Sequence, residues 1–174
     1  MTTEGDKVER LFLGGEGSFG MSFKTLGEFR IIKGSDVPAD LVMARGWDMA
    51  RRDPETRPEE IRGRIHWSAG VLIGYERGGR KRKIIFDVER AQKEPAGVQK
   101  MIKQTTMLDN YGEHEVPCVL EEELGAAGPH LTDTYRTMIL PDYTVVGSKA
   151  QDPIRGSTAM VVAVENSEVY LLEG

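Results

Sequence analysis

A glycine-rich segment near the amino terminus has the composition of a loop that binds phosphate. It reads Gly14-Gly15-Glu16-Gly17-Ser18-Phe19-Gly20, and Lys33 follows the predicted strand Phe29 to Ile32. Glycines let the backbone approach phosphates closely, and a lysine neutralises their charge. We therefore keep a small enzyme or binding protein for a phosphate-bearing ligand, using the Gly14 to Gly20 loop, as an alternative function.

The segment Gly15 to Gly20, with Ile31-Ile32-Lys33 downstream, resembles the glycine-rich loop and lysine-bearing strand of protein kinases. This resemblance covers about 20 residues of 174 and implies contact with nucleotide phosphates. The other kinase signatures, a His-Arg-Asp catalytic loop and an Asp-Phe-Gly metal ligand, are missing from the sequence. A glycine-rich turn between two adjacent strands explains the segment better.

Metal ligands and paired carboxylates are sparse. His114 and Cys118 are spaced like a fragment of a zinc site, but zinc requires three or four ligands, and the chain has one cysteine. In Glu121-Glu122-Glu123, successive strand residues point to opposite faces, so Glu121 and Glu123 share one face, most simply the solvent face. We predict no catalytic residue, no metal ligand and no cofactor.

Cations are concentrated at the turn of a predicted β-hairpin. Apolar and polar residues alternate from Gly63 to Tyr75 and again up to Arg90, on either side of Gly78-Gly79. A tight turn between such arms requires positive φ, which glycine adopts readily. The sequence predicts a long, protruding hairpin with a basic tip at residues 77–83.

The acidic residues are concentrated elsewhere. From Gln104 to Tyr135 the chain has no Lys or Arg but seven Asp and Glu residues. We predict that the basic tip and this acidic segment meet at an interface between neighbouring copies, where opposite charges steer association. The predicted interface residues are Arg77, Arg80, Lys81, Arg82, Lys83, Glu121, Glu122 and Glu123. The alternative interpretation is that each charge run is a solvated surface.

The remaining elements follow from hydrophobic periodicity. A helix is predicted after Glu94-Pro95, with apolar residues at Val98, Met101, Ile102, Thr105 and Leu108 on one side. The remaining predicted elements are strands at 8–13, 21–26, 116–120, 132–140 and 143–146, a helix at about 36–49, an exposed loop at 51–62, and a closing hairpin of 158–165 and 168–172. The predicted fold class is α+β and β-rich: an antiparallel β-sandwich or partly closed barrel with one or two helices.

Length and composition place the chain in a broad class. At 174 residues it fits one domain, residues 1–174, and it lacks an apolar run long enough for a membrane span or a signal peptide. The formal net charge of −5 argues against a general nucleic-acid binder. We expect a cytoplasmic or virion location and no secretion through a signal peptide.

The function predicted from these patterns is a non-enzymatic structural protein. A projecting hairpin, opposed charge poles and the lack of a complete catalytic motif favour a self-assembling homo-oligomeric ring or tube. The architectural analogy is a phage tail tube or another virion component. Its partners would be further copies and other assembly proteins. A nucleic-acid accessory protein, whose basic tip contacts phosphates, is the second alternative.

Overall fold

The computed structural model describes residues 29–49, 67–79, 81–112, 114–122, 127–149, 160, 162–164 and 166–174. The Gly14 to Gly20 loop, the predicted strands 8–13 and 21–26, and the predicted loop 51–62 lie outside these residues. The predicted strand at Phe29 to Ile32 is confirmed as β1, Arg30–Ile32.

Seven of the described strands form one mixed sheet. After β1 come β2 (Leu41–Asp48), β3 (Ser68–Glu76), β4 (Lys83–Ala91), β5 (Cys118–Glu122), β6 (Val145–Lys149) and β7 (Val169–Leu172). Their order across the sheet is β1-β7-β4-β3-β2-β5-β6. The three central strands β2, β3 and β4 are antiparallel, whereas β5 and β6 on one side and β7 and β1 on the other are joined by parallel pairs.

The predicted hairpin forms, but it does not protrude. Gly78 and Gly79 have φ of 81° and 61°, as the turn between β3 and β4 requires. However, β2 pairs with β3 as far as Glu76, and β7 pairs with β4 from Lys83 onward. The hairpin is therefore at the centre of the sheet, between β2 and β7.

Strand β2 replaces a predicted helix. Residues 36–49 suggested a helix because Ser35 or Asp36 can cap one whose first turn contains Pro38. In the structure, Arg45 and Trp47 are buried on one face of a strand that pairs with β3 and β5. Pairing on both edges outweighs the weak helical preference of this segment, which Gly46 lowers further.

Helices cover one face of the sheet. The predicted helix is confirmed as α1, Pro95–Asp109, and buries Val98, Met101 and Ile102. Residues 132–140, predicted as a strand, instead continue the helix α2, Ala127–Thr134, into a π-helical turn, Tyr135–Ile139. Burial of Tyr135, Ile139 and Leu140 against the α1 face determines this outcome, since a short apolar run fits a helix or a strand equally well.

The prediction of a closing hairpin is also wrong. Met160 and residues 162–164 are helical, and β7 pairs in parallel with β1 and β4. Ala163 and Val164 pack with Ile85 and Val169 in a second, smaller core on the sheet face opposite α1.

The α+β class is confirmed, but the sandwich or barrel is not. The described strands form an open sheet with β1 and β6 at its two edges, and no pairing closes it. Among the described residues, no helix combines the length and hydrophobicity needed to cross a membrane.

Candidate active site

Two carboxylates lie side by side where β2 and β5 end. These strands are parallel neighbours, with Arg45 beside Cys118, Gly46 beside Val119 and Trp47 beside Leu120. The pairing ends at Trp47 and Leu120, and continuing its register by one residue brings Asp48 next to Glu121. Neighbouring strands are about 4.8 Å apart, so the two side chains start within reach of one ion.

Both carboxylates are on the sheet face opposite α1. Trp47 and Leu120 are buried in the α1 core, and side chains alternate along a strand, so Asp48 and Glu121 point the other way. Both side chains are exposed. Ser148 of β6 continues this row on the far side of Glu121.

The pair is at the point where the chain changes direction across the sheet. From β2 the chain builds β3 and β4 on one side, then returns through α1 to build β5 and β6 on the other. In open sheets with parallel strands, ligands bind beyond the carboxyl ends of the strands at such a switch point. Asp48 and Glu121 are carboxylates of the described residues near this point.

A buried arginine fixes the strand that carries Asp48. Arg45 is 3% exposed, and its guanidinium donates to Asp109 at 2.6 and 2.9 Å, to Asp87 at 2.8 Å and to the Gly70 carbonyl at 3.3 Å. Burial lowers the pKa of Arg45, but the hydrogen bonds to Asp109 and Asp87 outweigh it and leave that pKa raised. The charged network joins β2, β4 and the end of α1.

Close backbone packing supports the same strand. The ring of Trp47 lies flat on Gly70 of β3, where a Cβ would be 2.6 Å from the ring carbons. On the other side of the site, the carboxylate of Glu122 occupies the space that a side chain at Gly147 would fill. Glu122 is thus turned to the α1 face, away from Asp48 and Glu121.

The Asp48–Glu121 pair has the donor chemistry of a magnesium or manganese site. Mg²⁺ is commonly held by one or two carboxylates, with water and substrate phosphates completing its octahedron. Within the described residues, no cluster of three or more His, Cys, Asp or Glu side chains comes together. The two carboxylates therefore suit a hard cation that shares its coordination with a substrate.

Sequence reasoning missed Asp48 because the segment was assigned to a helix. The signal that identifies it is an apolar strand, Leu41 to Trp47, that ends in an acidic residue. Glu121 was noticed, but as an interface residue. Only the parallel pairing of β2 with β5 brings the two together.

The predicted interface residues occupy two opposite ends of the sheet. The basic tip adjoins the start of β2, because Glu76 pairs with Leu41, whereas Glu121 and Glu122 are beside its end. Arg82 pairs with Glu76 at 3.0 Å and Lys83 with Glu168 at 2.8 Å, while Arg77 and Lys81 are exposed. Arg80 and Glu123 are outside the described residues, and an interface formed by these charges stays a prediction.

His114 and Cys118, which are spaced like a fragment of a zinc site, do not join a cluster of three or more metal-binding side chains among the described residues. His114 is exposed, whereas Cys118 is buried at the start of β5. Burial raises the pKa of the Cys118 thiol from 9.0 to about 11, opposed by a hydrogen bond with Thr106.

Comparison with known proteins found a structural similarity at low sequence identity. No protein-family model matches the chain. No curated protein matches it either. Among solved structures, it is similar to the crystal structure of the fowlpox virus Holliday junction resolvase, at 10% identity and a TM-score of 0.41, covering 75% of this chain and 78% of the other.

The prediction of a non-enzymatic ring or tube subunit, and with it a phage-tail or virion role, is wrong. The hairpin that was expected to grip a neighbour is instead paired within its own sheet, with β2 along β3 and with β7 along β4 from Lys83 to Ile85. Instead of a projecting hairpin, the structure has an open sheet with acidic side chains at a switch point.

Proposed function

We propose that this protein is a divalent-metal-dependent hydrolase that cleaves phosphodiester bonds in nucleic acid. The observation that carries the proposal is the placement of Asp48 and Glu121 on one sheet face at the ends of adjacent parallel strands. Such paired carboxylates hold the metal ions that many nucleases use. The proposal takes up nucleic acid, the second alternative from the sequence, but as a substrate.

Asp48 and Glu121 would hold the metal, and each contributes a negative charge to balance it. A bound divalent ion supplies an activated water and stabilises the charge that develops on the phosphate. On the α1 face of the sheet, Arg45 ties β2 to Asp87 and Asp109. Asp48 would therefore keep its position beside Glu121 when substrate binds. The rigid sheet thus provides the preorganisation that such catalysis requires.

The shape of the site favours a polymeric substrate. Small molecules are normally bound in concave, mostly apolar pockets. Here both carboxylates are exposed on a sheet face whose smaller core lies around Ile85, Val71 and Val88, and a long substrate can reach them from solvent. On the same face, Arg90 of β4 is aligned with Asp48 through Ala69 of β3, and an arginine at this position can contact a neighbouring phosphate.

Charge-neutral replacements of the two carboxylates test the proposal. Purified protein is incubated with labelled single-stranded, duplex and branched DNA and with RNA, with Mg²⁺ or Mn²⁺ or with EDTA. We expect metal-dependent cleavage that falls at least about 100-fold in Asp48→Asn and in Glu121→Gln, because each change removes a ligand charge. Manganese affinity, measured by electron paramagnetic resonance, should fall in parallel.

The matched control is Asp40→Asn. Asp40 is an exposed carboxylate just before the other end of the same strand, so its replacement should leave cleavage unchanged. Cleavage that survives both Asp48→Asn and Glu121→Gln, or no cleavage of any of these substrates by the native protein, would refute the proposal.

A further inference from the structure

An exposed tryptophan lies next to the carboxylate pair on the same sheet face. Asp48 is in register with Ala69 of β3, and Ala69 is in register with Arg90 of β4. Trp67 is two residues from Ala69, so it points to the same face and is a diagonal neighbour of Asp48. Diagonal neighbours have Cα atoms about 7–8 Å apart, within reach of a large side chain.

Trp67 is held by Arg90 but remains half exposed. The guanidinium carbon of Arg90 lies 4.8 Å from the centroid of the Trp67 ring. Even so, 49% of Trp67 is exposed, while Trp47, the other tryptophan, is 2% exposed.

Together, these two side chains offer the two contacts that a nucleotide requires. Indole rings stack on nucleobases of any sequence, and arginine binds phosphate oxygens through its fork of donors. The strand register places Ala69, whose side chain is a single methyl group, between Arg90 and Asp48. A strand of nucleic acid can cross from one to the other.

Resting on the proposed function, we infer that Trp67 and Arg90 stack and anchor an unpaired nucleotide beside the Asp48–Glu121 site, making single-stranded nucleic acid its preferred substrate. In a continuous duplex the bases are stacked on each other, so a ring on an open face reaches only the backbone. In a single strand or an unpaired segment the base faces are accessible. Stacking by Trp67 therefore favours the binding of single-stranded over duplex substrates, whereas Arg90 contributes to the binding of both.

The hairpin itself supplies a matched control. At its opposite end, Tyr75 is 41% exposed, and the Lys83 ammonium nitrogen lies 5.9 Å from the centroid of its ring. Tyr75 and Trp67 are thus both exposed aromatics paired with a cation on the same hairpin. Only Trp67 is near the carboxylates.

Binding without cleavage tests the inference. Fluorescence anisotropy of labelled 20-nucleotide single strands, as DNA and as RNA, and of the same sequence as a duplex is measured in EDTA. We expect Trp67→Ala to weaken single-strand binding at least about fivefold and duplex binding less than about twofold, since only the stacking contribution is lost. Trp67→Phe should recover most of the loss, and Tyr75→Ala should change neither affinity.

Equal effects of Trp67→Ala on single strands and duplex, or no effect on either, would overturn the inference. If Asp48-dependent cleavage is present in that case, the hydrolase proposal survives and only the stacking role fails. If Trp67-dependent single-strand binding is found without any metal-dependent cleavage, the hydrolase proposal fails and the nucleotide contact stands.

Discussion

At the scale of single residues, the structure depends on a buried charge that is fully paired. Arg45 is 3% exposed and shares its donors between Asp109, which is 8% exposed, and the more exposed Asp87. Removing one member of a buried ion network leaves the others desolvated and uncompensated. The network is therefore needed for the fold, whatever its net contribution to the free energy of unfolding.

We expect Arg45→Met to lower the free energy of unfolding by about 3–5 kcal/mol, because Asp109 loses its partner inside the protein. Adding Asp109→Leu should recover part of this loss, so the double variant is more stable than the sum of the single effects. Urea unfolding measures all three variants. Asp133→Asn, which removes an exposed partner of Arg136, serves as the control and should cost under about 1 kcal/mol. Fully additive effects would contradict the network.

The buried thiol makes stability depend on alkaline pH. Burial raises the pKa of Cys118 from 9.0 to about 11, so between these values the unfolded chain loses its proton before the folded protein does. The stabilisation is complete below pH 9 and is lost as pH rises toward 11, at up to about 1.4 kcal/mol per pH unit.

Urea unfolding at pH 8, 9 and 10 should show this loss in the native protein and a flatter profile in Cys118→Ala. The interval from pH 9 to 10 is the informative one, because Tyr135, whose pKa burial raises from 10.0 to about 12, contributes only above it. Parallel profiles for the two proteins over that interval would show that the thiol is not responsible.

At the scale of elements, the position of β2 is set by the strands beside it. Trp47 packs on Gly70 of β3, where any side chain would meet the ring, while Gly46 on β2 has nothing within 4 Å of its Cβ position. Because Asp48 follows Trp47 directly, the packing of this ring determines where the carboxylate points. Two glycines in adjacent strands thus have opposite tolerance for a methyl group.

We expect Gly70→Ala to destabilise the protein by about 1–3 kcal/mol and to slow metal-dependent cleavage, because the ring and β2 must shift. Gly46→Ala should instead leave stability unchanged or raise it by about 0.5 kcal/mol, since alanine fits a strand better than glycine. Thermal unfolding compares the two variants. A similar loss of stability in both would mean that the Trp47–Gly70 contact is not decisive.

At the scale of the whole molecule, the sheet separates its basic tip from its carboxylates. Strand β2 runs from Leu41, beside the tip, to Asp48, which places the two ends roughly 24 Å apart. At physiological ionic strength, exposed charges are largely screened beyond about 8 Å. The tip therefore has little influence on the chemistry at the other end.

We expect the double change Arg77→Gln and Lys81→Gln to alter cleavage of a short oligonucleotide less than about twofold. Arg90→Gln, on the row that contains Asp48, should reduce it about tenfold through loss of a phosphate contact. Cleavage rates at 150 mM salt compare the variants. An equal loss of cleavage in the tip variant would mean that the substrate contacts the hairpin along its whole length, from the carboxylates to the basic tip.

The sequence by itself determined the local structures whose signals are short in range. Alternation around Gly78-Gly79 predicted the β3–β4 hairpin, since positive φ there requires glycine. The spacing of Val98, Met101 and Ile102 predicted α1, although Leu108 of the same pattern is 74% exposed. These elements follow from backbone sterics and from the period of a helix, which neighbouring residues are enough to specify.

Tertiary structure alone decided which strands are neighbours. Leu41 to Asp48 is a strand because β3 and β5 pair with both of its edges, and residues 132–140 are helical because they pack on the α1 face. The parallel register of β2 and β5 brings together Asp48 and Glu121, which are 73 positions apart in the chain. No local periodicity encodes such a pairing, since it depends on the burial that the completed sheet provides.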